Sequence, residues 1–257
     1  MANLFDLRGT VSLVTGAIGG LGAAICHTLS AHGARVILSD QDGAACEKAA
    51  SAMRGQGFEA QALPCDLRDP ASLEGFVSQA IRMWGRIDTL VCNAGVQGPA
   101  GPIGRISGAD WDAVMQVNLA APLALTTHLI PHMAERGSGS VVLMSSIAGL
   151  RGNRSIGLYA LSKAGLAQLA RNLAVEWGPK GVRVNAISPG LIRTPLAMGL
   201  LQDEAFMQRR LAATPLRRVG EPDEVAGVVV MLAGKAGAFI TGHNLVVDGG
   251  TTISDGS

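Results

Sequence analysis

Short apolar runs rich in β-branched residues recur at residues 11–14, 36–38, 87–92, 141–144, 182–187 and 245–247. Runs of that length, apolar at successive positions, suit parallel strands covered on both faces. Between them, residues 21–32, 70–84, 111–136 and 157–177 carry apolar side chains three and four positions apart, the spacing of a helix with one buried stripe. The β-α-β-α alternation predicts an α/β fold: a single Rossmann-type, doubly wound parallel β-sheet with helices on both faces. Asp69 before Pro70 marks one helix start, because a carboxylate accepts otherwise unpaired amide hydrogens and proline suits the first helical position. Residues 195–215 break the rhythm, with Leu and Met first and charges near the end, and predict a substrate lid. No repeat, low-complexity tract or linker interrupts the alternation, so residues 1–257 read as one domain.

Composition narrows the picture. A hydrophobic share of 48% against 16% charged residues supplies the apolar surface that such a sheet must bury. The net charge is +1 and no long run of like charge occurs, which offers nothing to nucleic acid or to an anionic membrane. Residues 1–8 lack the basic start and apolar stretch of a secretory signal, and no later segment stays apolar for about 18 residues, so a soluble, cytoplasmic protein is expected. Cys26, Cys46, Cys65 and Cys92 are scattered without a paired spacing and read as reduced thiols packed like small apolar residues. His128 and His132 would share a helix face, but the spacing shows no third ligand, and no metal is expected.

Candidate chemistry begins at Thr15-Gly16-Ala17-Ile18-Gly19-Gly20-Leu21-Gly22, directly after the first strand and opening a helix. Glycines there permit a tight turn and let backbone approach a pyrophosphate, while the helix N-terminus supplies amide hydrogens and partial positive charge. Such a turn alone is weak, since it also serves merely to join elements. The second strand ends at Asp40, eighteen residues after Gly22, where a carboxylate can accept hydrogen bonds from both ribose hydroxyls of an adenosine and would repel a 2′-phosphate. Neither Gly19 nor Gln41 offers that phosphate a positive charge, so NAD is favoured over NADP. The competing reading makes Asp40 a plain helix cap.

These motifs, with Cys92-Asn93-Ala94-Gly95 after the strand at 87–92 and Tyr159-Ala160-Leu161-Ser162-Lys163, resemble the short-chain dehydrogenase/reductase family. The similarity continues through Asn118, Ser145-Ser146, Pro189-Gly190, Thr194 and the ending 240–250. In that family the catalytic serine stands thirteen positions before the tyrosine, which selects Ser146 over Ser145. The resemblance implies that Tyr159 exchanges a proton with the substrate oxygen, Ser146 holds that oxygen, Lys163 binds the nicotinamide ribose and Asn118 anchors a water chain. It also implies cofactor contacts from Gly16, Ile18, Gly20, Leu21, Gly22, Asp40, Asp66, Leu67, Asn93, Ala94, Gly95, Pro189, Gly190, Ile192 and Thr194. Asp66 takes the adenine edge, and Ile192 and Thr194 the carboxamide. Cys92 and Gly19 depart from the commoner residues at their positions, and neither touches the chemistry directly.

Tyr and Lys one helical turn apart lie on one face, which brings an ammonium near a phenol. Taken alone such a pair is usually an ordinary surface pair; the nucleotide loop and the spaced serine reverse that reading. A free phenol titrates near pH 10, and positive charge from Lys163 and oxidised nicotinamide is expected to lower it. The expected activity is therefore oxidation of a secondary alcohol, or reduction of a ketone, with NAD. A sugar or polyol dehydrogenase is an alternative, because Gln97, Asn153 and Arg154 lie near these motifs. An NADPH-dependent 3-oxoacyl reductase is a further alternative, against which Asp40 argues, and a nucleotide-sensing scaffold without turnover is the non-enzyme one. The helices at 111–136 and 157–177 carry more apolar residues than one stripe needs and resemble the pair through which the family forms dimers and tetramers, so a homotetramer is expected.

Overall fold

The computed structural model describes residues 3–254. Seven strands, β1 Val11–Thr15, β2 Arg35–Ser39, β3 Ala60–Ala62, β4 Thr89–Cys92, β5 Gly139–Met144, β6 Val182–Pro189 and β7 Asn244–Val247, form one sheet in the order β3-β2-β1-β4-β5-β6-β7. Every neighbouring pair is parallel. This is the expected Rossmann-type sheet. Strand order reverses between β1 and β4, the switch point outside which such sheets bind ligands at the carboxyl ends of their strands.

Successive strand residues serve opposite layers. Leu13 and Ile37 join the side covered by α3 (Leu73–Trp84), α5 (Ala121–Glu135) and α6 (Gly157–Trp177), whereas Val14, Val36 and Leu38 join the side covered by α1 (Gly20–Ala31), α2 (Gly43–Gly55) and α9 (Pro222–Ala233). Burial on both faces explains why β1, β4 and β5 are apolar runs rather than alternating ones.

The predicted strands are present; β3 and α2 were not legible. β3 has three residues, Ala-Gln-Ala, and no β-branched side chain. The helix α2 buries only Cys46, Ala50 and Met53, a stripe too narrow and small to mark a periodicity. The helix expected at 111–136 is α4 (Gly108–Met115) continued by a π-helical turn at Gln116–Ala120 into α5. Taken together, residues 108–135 are long and apolar enough to cross a bilayer by length and composition, in contrast to the expectation that no segment stays apolar for about 18 residues. Here Ala121, Leu125, Leu129, Ile130 and Met133 of that helix are fully buried within the fold. The lid segment folds as α7 (Met198–Leu201) and α8 (Glu204–Ala212), the latter capped by the Asp203 carboxylate on the amide of Phe206.

All four cysteines are free and buried. Burial pushes their thiols up, Cys46 to about 11 and Cys92 to about 12, so they are inert protonated groups at neutral pH. His132 on α5 has its Nε2 buried without a partner, and among the described residues no three His, Cys, Asp or Glu side chains gather as a metal site.

Candidate active site

A cavity of about 1160 Å³ runs along the carboxyl edge of the sheet, from the end of β2 across the β1–α1 turn to α8. The turn that forms its floor is sterically specified. Gly16 holds φ +64°, and a Cβ on Gly22 would stand 2.0 Å from the Gly16 carbonyl oxygen. Asn93 clamps the same turn, its Nδ2 donating to the carbonyls of Thr15 and Gly16, while Thr15 Oγ1 accepts from the amides of Asn93 and Ala94. Asn93 is therefore a strut between β1 and β4, and Thr15 is a partner the motif reading missed. No side chain caps α1 and no acidic residue occupies its first turn, so its positive end faces the cavity free for a phosphate.

At the nucleotide end, Asp40 lines the cavity. The competing cap reading fails, because α2 is capped by Asp42, whose carboxylate accepts from the amide of Ala45 at 3.0 Å. Asp66 is held by Arg68 through a 2.7 Å ion pair, which draws its carboxyl below the ordinary value. Leu67 is tied through its carbonyl to Gln116 Nε2 in the π-helical turn.

At the other end the two serines separate as expected. Ser145 is buried and its Oγ donates to the Lys163 carbonyl at 2.7 Å, a link between β5 and α6. Ser146 opens the following turn, accepts from the amide of Ala148 and stands near enough to the Tyr159 phenol to favour its charged form. Lys163, 3% exposed, donates from Nζ to the Met144 carbonyl at 2.8 Å and lies 5.5 Å from the centre of the Tyr159 ring. Pro189, Gly190, Ile192 and Thr194 form the wall after β6.

The predicted cofactor residues, Ser146, Tyr159 and Lys163 all line this cavity; Asn118 does not. It is fully buried behind the wall, in the π-helical turn. Its Oδ1 accepts from the Val96 amide at 2.8 Å, and its Nδ2 donates to the Val96 carbonyl and to Ser162 Oγ. Both amide hydrogens are committed, so the side chain clamps the loop after β4 to the helix that carries Tyr159 and Lys163. The insertion of one residue at a π-turn is what rotates it inward.

The lowering expected from Lys163 and oxidised nicotinamide together is not made by the protein's own groups. Burial raises the Tyr159 phenol above its ordinary value, opposed only in part by Ser146. Burial also lowers Lys163 to about 8. The spacing showed which groups face each other but not that both sit in a poorly hydrated pocket, where desolvation sets the direction of each shift.

Sequence reasoning missed Arg151 and Arg210, which line the cavity together with the noted Gln97, Asn153 and Arg154. For Arg210 a signal existed: the charges near the end of the segment 195–215.

A family profile described as Enoyl-(Acyl carrier protein) reductase matches residues 16–252. The chain is 36% identical to dehydrogenase/reductase SDR family member 4 of Bos taurus, over 98% of this chain and 90% of that one. It is 38% identical to cis-4-hydroxycyclohexanecarboxylate dehydrogenase of Sinomonas cyclohexanicum, over 94% and 96%. A crystal structure of a gluconate 5-dehydrogenase from Burkholderia cenocepacia, in complex with NADP and tartrate, superposes with a TM-score of 0.94 at 30% identity, covering 98% of each chain.

Tyr159 is the chain's one tyrosine, so its ionisation can be read directly from the tyrosinate absorbance difference. The raised phenol should titrate above about 10 in the protein alone, and the signal should vanish in Tyr159→Phe. A midpoint well below 10 would mean that charge, not burial, dominates.

Proposed function

The chain belongs to the short-chain dehydrogenase/reductase family, and on that premise we propose an NAD-linked alcohol dehydrogenase and ketone reductase in which Tyr159 is the acid/base. The observation that carries the reading is the convergence of Ser146, Tyr159 and Lys163 on one cavity that also presents a free helix N-terminus and an uncommitted Asp40. The residues fit a dinucleotide: the β1–α1 turn for its phosphates, Asp40 for the adenosine ribose, and Lys163, whose ammonium has two donors beyond the Met144 carbonyl, for the second ribose. Bound there, the nicotinamide gives or takes the hydride.

The side chains do the rest. Ser146 donates to the substrate oxygen and fixes it beside the phenol. In the reducing direction Tyr159 is the proton donor, and its raised value keeps it protonated through neutral pH. In the oxidising direction phenolate must accept the alcohol proton, so rate climbs with pH. Lys163, cationic below about 8, keeps a positive charge beside the phenol at neutral pH, and positive charge favours proton loss from it. The segment 195–215 serves as the lid of this one domain, and Leu196 and Leu200 line the cavity from it.

Gluconate 5-dehydrogenase from Burkholderia cenocepacia holds NADP. What supports NAD in this chain is the carboxylate of Asp40, the absence of charge at Gly19 and Gln41, and the engagement of Arg68 by Asp66. Because the matching profile carries the name of an enoyl reductase, a substrate panel should pair secondary alcohols and ketones with a 2-enoyl thioester, whose product is a saturated chain rather than an alcohol. Exposed Leu123 on α5 and Leu161 and Val175 on α6 support assembly through those helices into a tetramer.

Tyr159→Phe should bind NAD as the wild type does and lose at least about 10²-fold in kcat; near-normal oxidation of a good substrate would show that another group is the base. Steady-state kinetics should give a far higher kcat/KM with NAD than with NADP, a gap that Asp40→Ala narrows mainly by weakening NAD; preference for NADP sinks the cofactor assignment. Light scattering at micromolar concentration should find a tetramer, and a mass of 26.4 kDa would contradict it.

A further inference from the structure

The charges on the cavity wall are segregated. Its two carboxylates, Asp40 and Asp66, are both at the nucleotide end. Around the catalytic end stand three guanidinium groups, Arg151, Arg154 and Arg210, and no acidic side chain. None of the three takes part in any of the ion pairs formed among the described residues.

Arg210 is the most constrained. It projects from α8 of the lid, its Nε is buried with no hydrogen-bond partner, and Arg151, from the body of the domain, is close enough to oppose its charge. Asp248 offers some compensation, but its two oxygens are bonded to the amides of Gly250 and Thr252. A guanidinium with a buried, unpartnered Nε and a second cation on the same cavity wall is stabilised when an anion joins the two. The guanidinium fork matches a carboxylate with two parallel N–H···O bonds. Leu196, Leu200 and Phe206 add an apolar wall beside it.

We propose that Arg210 and Arg151 bind a carboxylate of the substrate, so that the alcohol oxidised at Tyr159 is a hydroxy acid with a hydrocarbon frame between its two functional groups. This rests on reading the cavity as a dehydrogenase site. The anion bridges lid to body, which makes the charge on the substrate the element that closes α8 over the reacting carbon. Esters, amides and unsubstituted alcohols lack that bridge. A phosphate on a coenzyme A thioester could supply an anion too, but it would stand many bonds from the reacting carbon, whereas both arginines line the cavity that holds Tyr159.

The test separates binding from turnover. Calorimetric titration with cyclohexanecarboxylate, with NAD or NADP present, should show binding that weakens about 10- to 100-fold in Arg210→Met and recovers in part in Arg210→Lys. Arg209→Met, exposed and outside the cavity, should bind as the wild type does. Arg151→Met repeats the measurement from the body side should the α8 variant fail to fold. In kinetics the wild type should prefer 4-hydroxycyclohexanecarboxylate to its methyl ester and to cyclohexanol, and Arg210→Met should lose most of that preference through KM. Equal carboxylate binding by wild type and both arginine variants overturns the proposal. So does a wild type that oxidises ester and acid alike, or that favours a 3-hydroxyacyl thioester of coenzyme A. Arginine-dependent carboxylate binding without turnover of any alcohol would support the anion site and defeat the dehydrogenase reading instead.

Discussion

An ammonium buried without a carboxylate is the constraint around which the site is built. Lys163 is 3% exposed, its bonded partner is a backbone carbonyl, and burial brings its pKa from 10.5 to about 8. That shift corresponds to roughly 3 kcal/mol against the charged form, several times the worth of a surface ion pair. The sign follows: the folded value lies below the free one, so stability falls as pH drops from above 10.5 to 8, and below 8 the whole penalty is present. A fold keeps such a group only if its neighbours are rigid. Met144 holds Nζ, Ser145 holds the Lys163 backbone, and Asn118 holds Ser162 beside it. Through these bonds the ends of β4 and β5, the π-helical turn and α6 are fixed to one another.

That network also explains a division of labour that neighbouring residues conceal. Ser145 and Ser146 are adjacent, yet β5 points one hydroxyl into the helix packing and the other into the cavity. Asn118 and Lys163 both serve the active centre, but Asn118 acts through what it clamps. Ser146 and Tyr159 are left as the polar groups able to meet a substrate oxygen.

The parts legible in the sequence were those fixed by a period. Strands covered on both faces must be apolar, and Tyr159 and Lys163 must share a face at four-residue spacing, although only the nucleotide loop and the spaced serine gave that pair its meaning. Asp40 stood out because the strand end fixes it. What the sequence hid depended on the third dimension. β3 has too few residues to carry a pattern, and a π-turn leaves no mark in a hydrophobic stripe. The direction of the Tyr159 shift depends on how much water reaches the phenol. Arg151 and Arg210 are far apart in sequence and line one cavity because α8 returns over the carboxyl edge of the sheet.

The segment 195–215 divides in two in physical terms. Apolar residues at 196–207 could have served to pack the segment down or to contact a substrate, and the structure divides them. Met198 is exposed and outside the cavity, while Leu196, Leu200 and Phe206 line it. Leu196 remains 68% exposed, so drawing the lid inward would gain hydrophobic free energy, up to about 1.5–3 kcal/mol for a fully buried leucine. Against this stands the repulsion between Arg210 and Arg151, two cations on one cavity wall. Of these two opposing terms the charge repulsion is the one that a small anion can reverse.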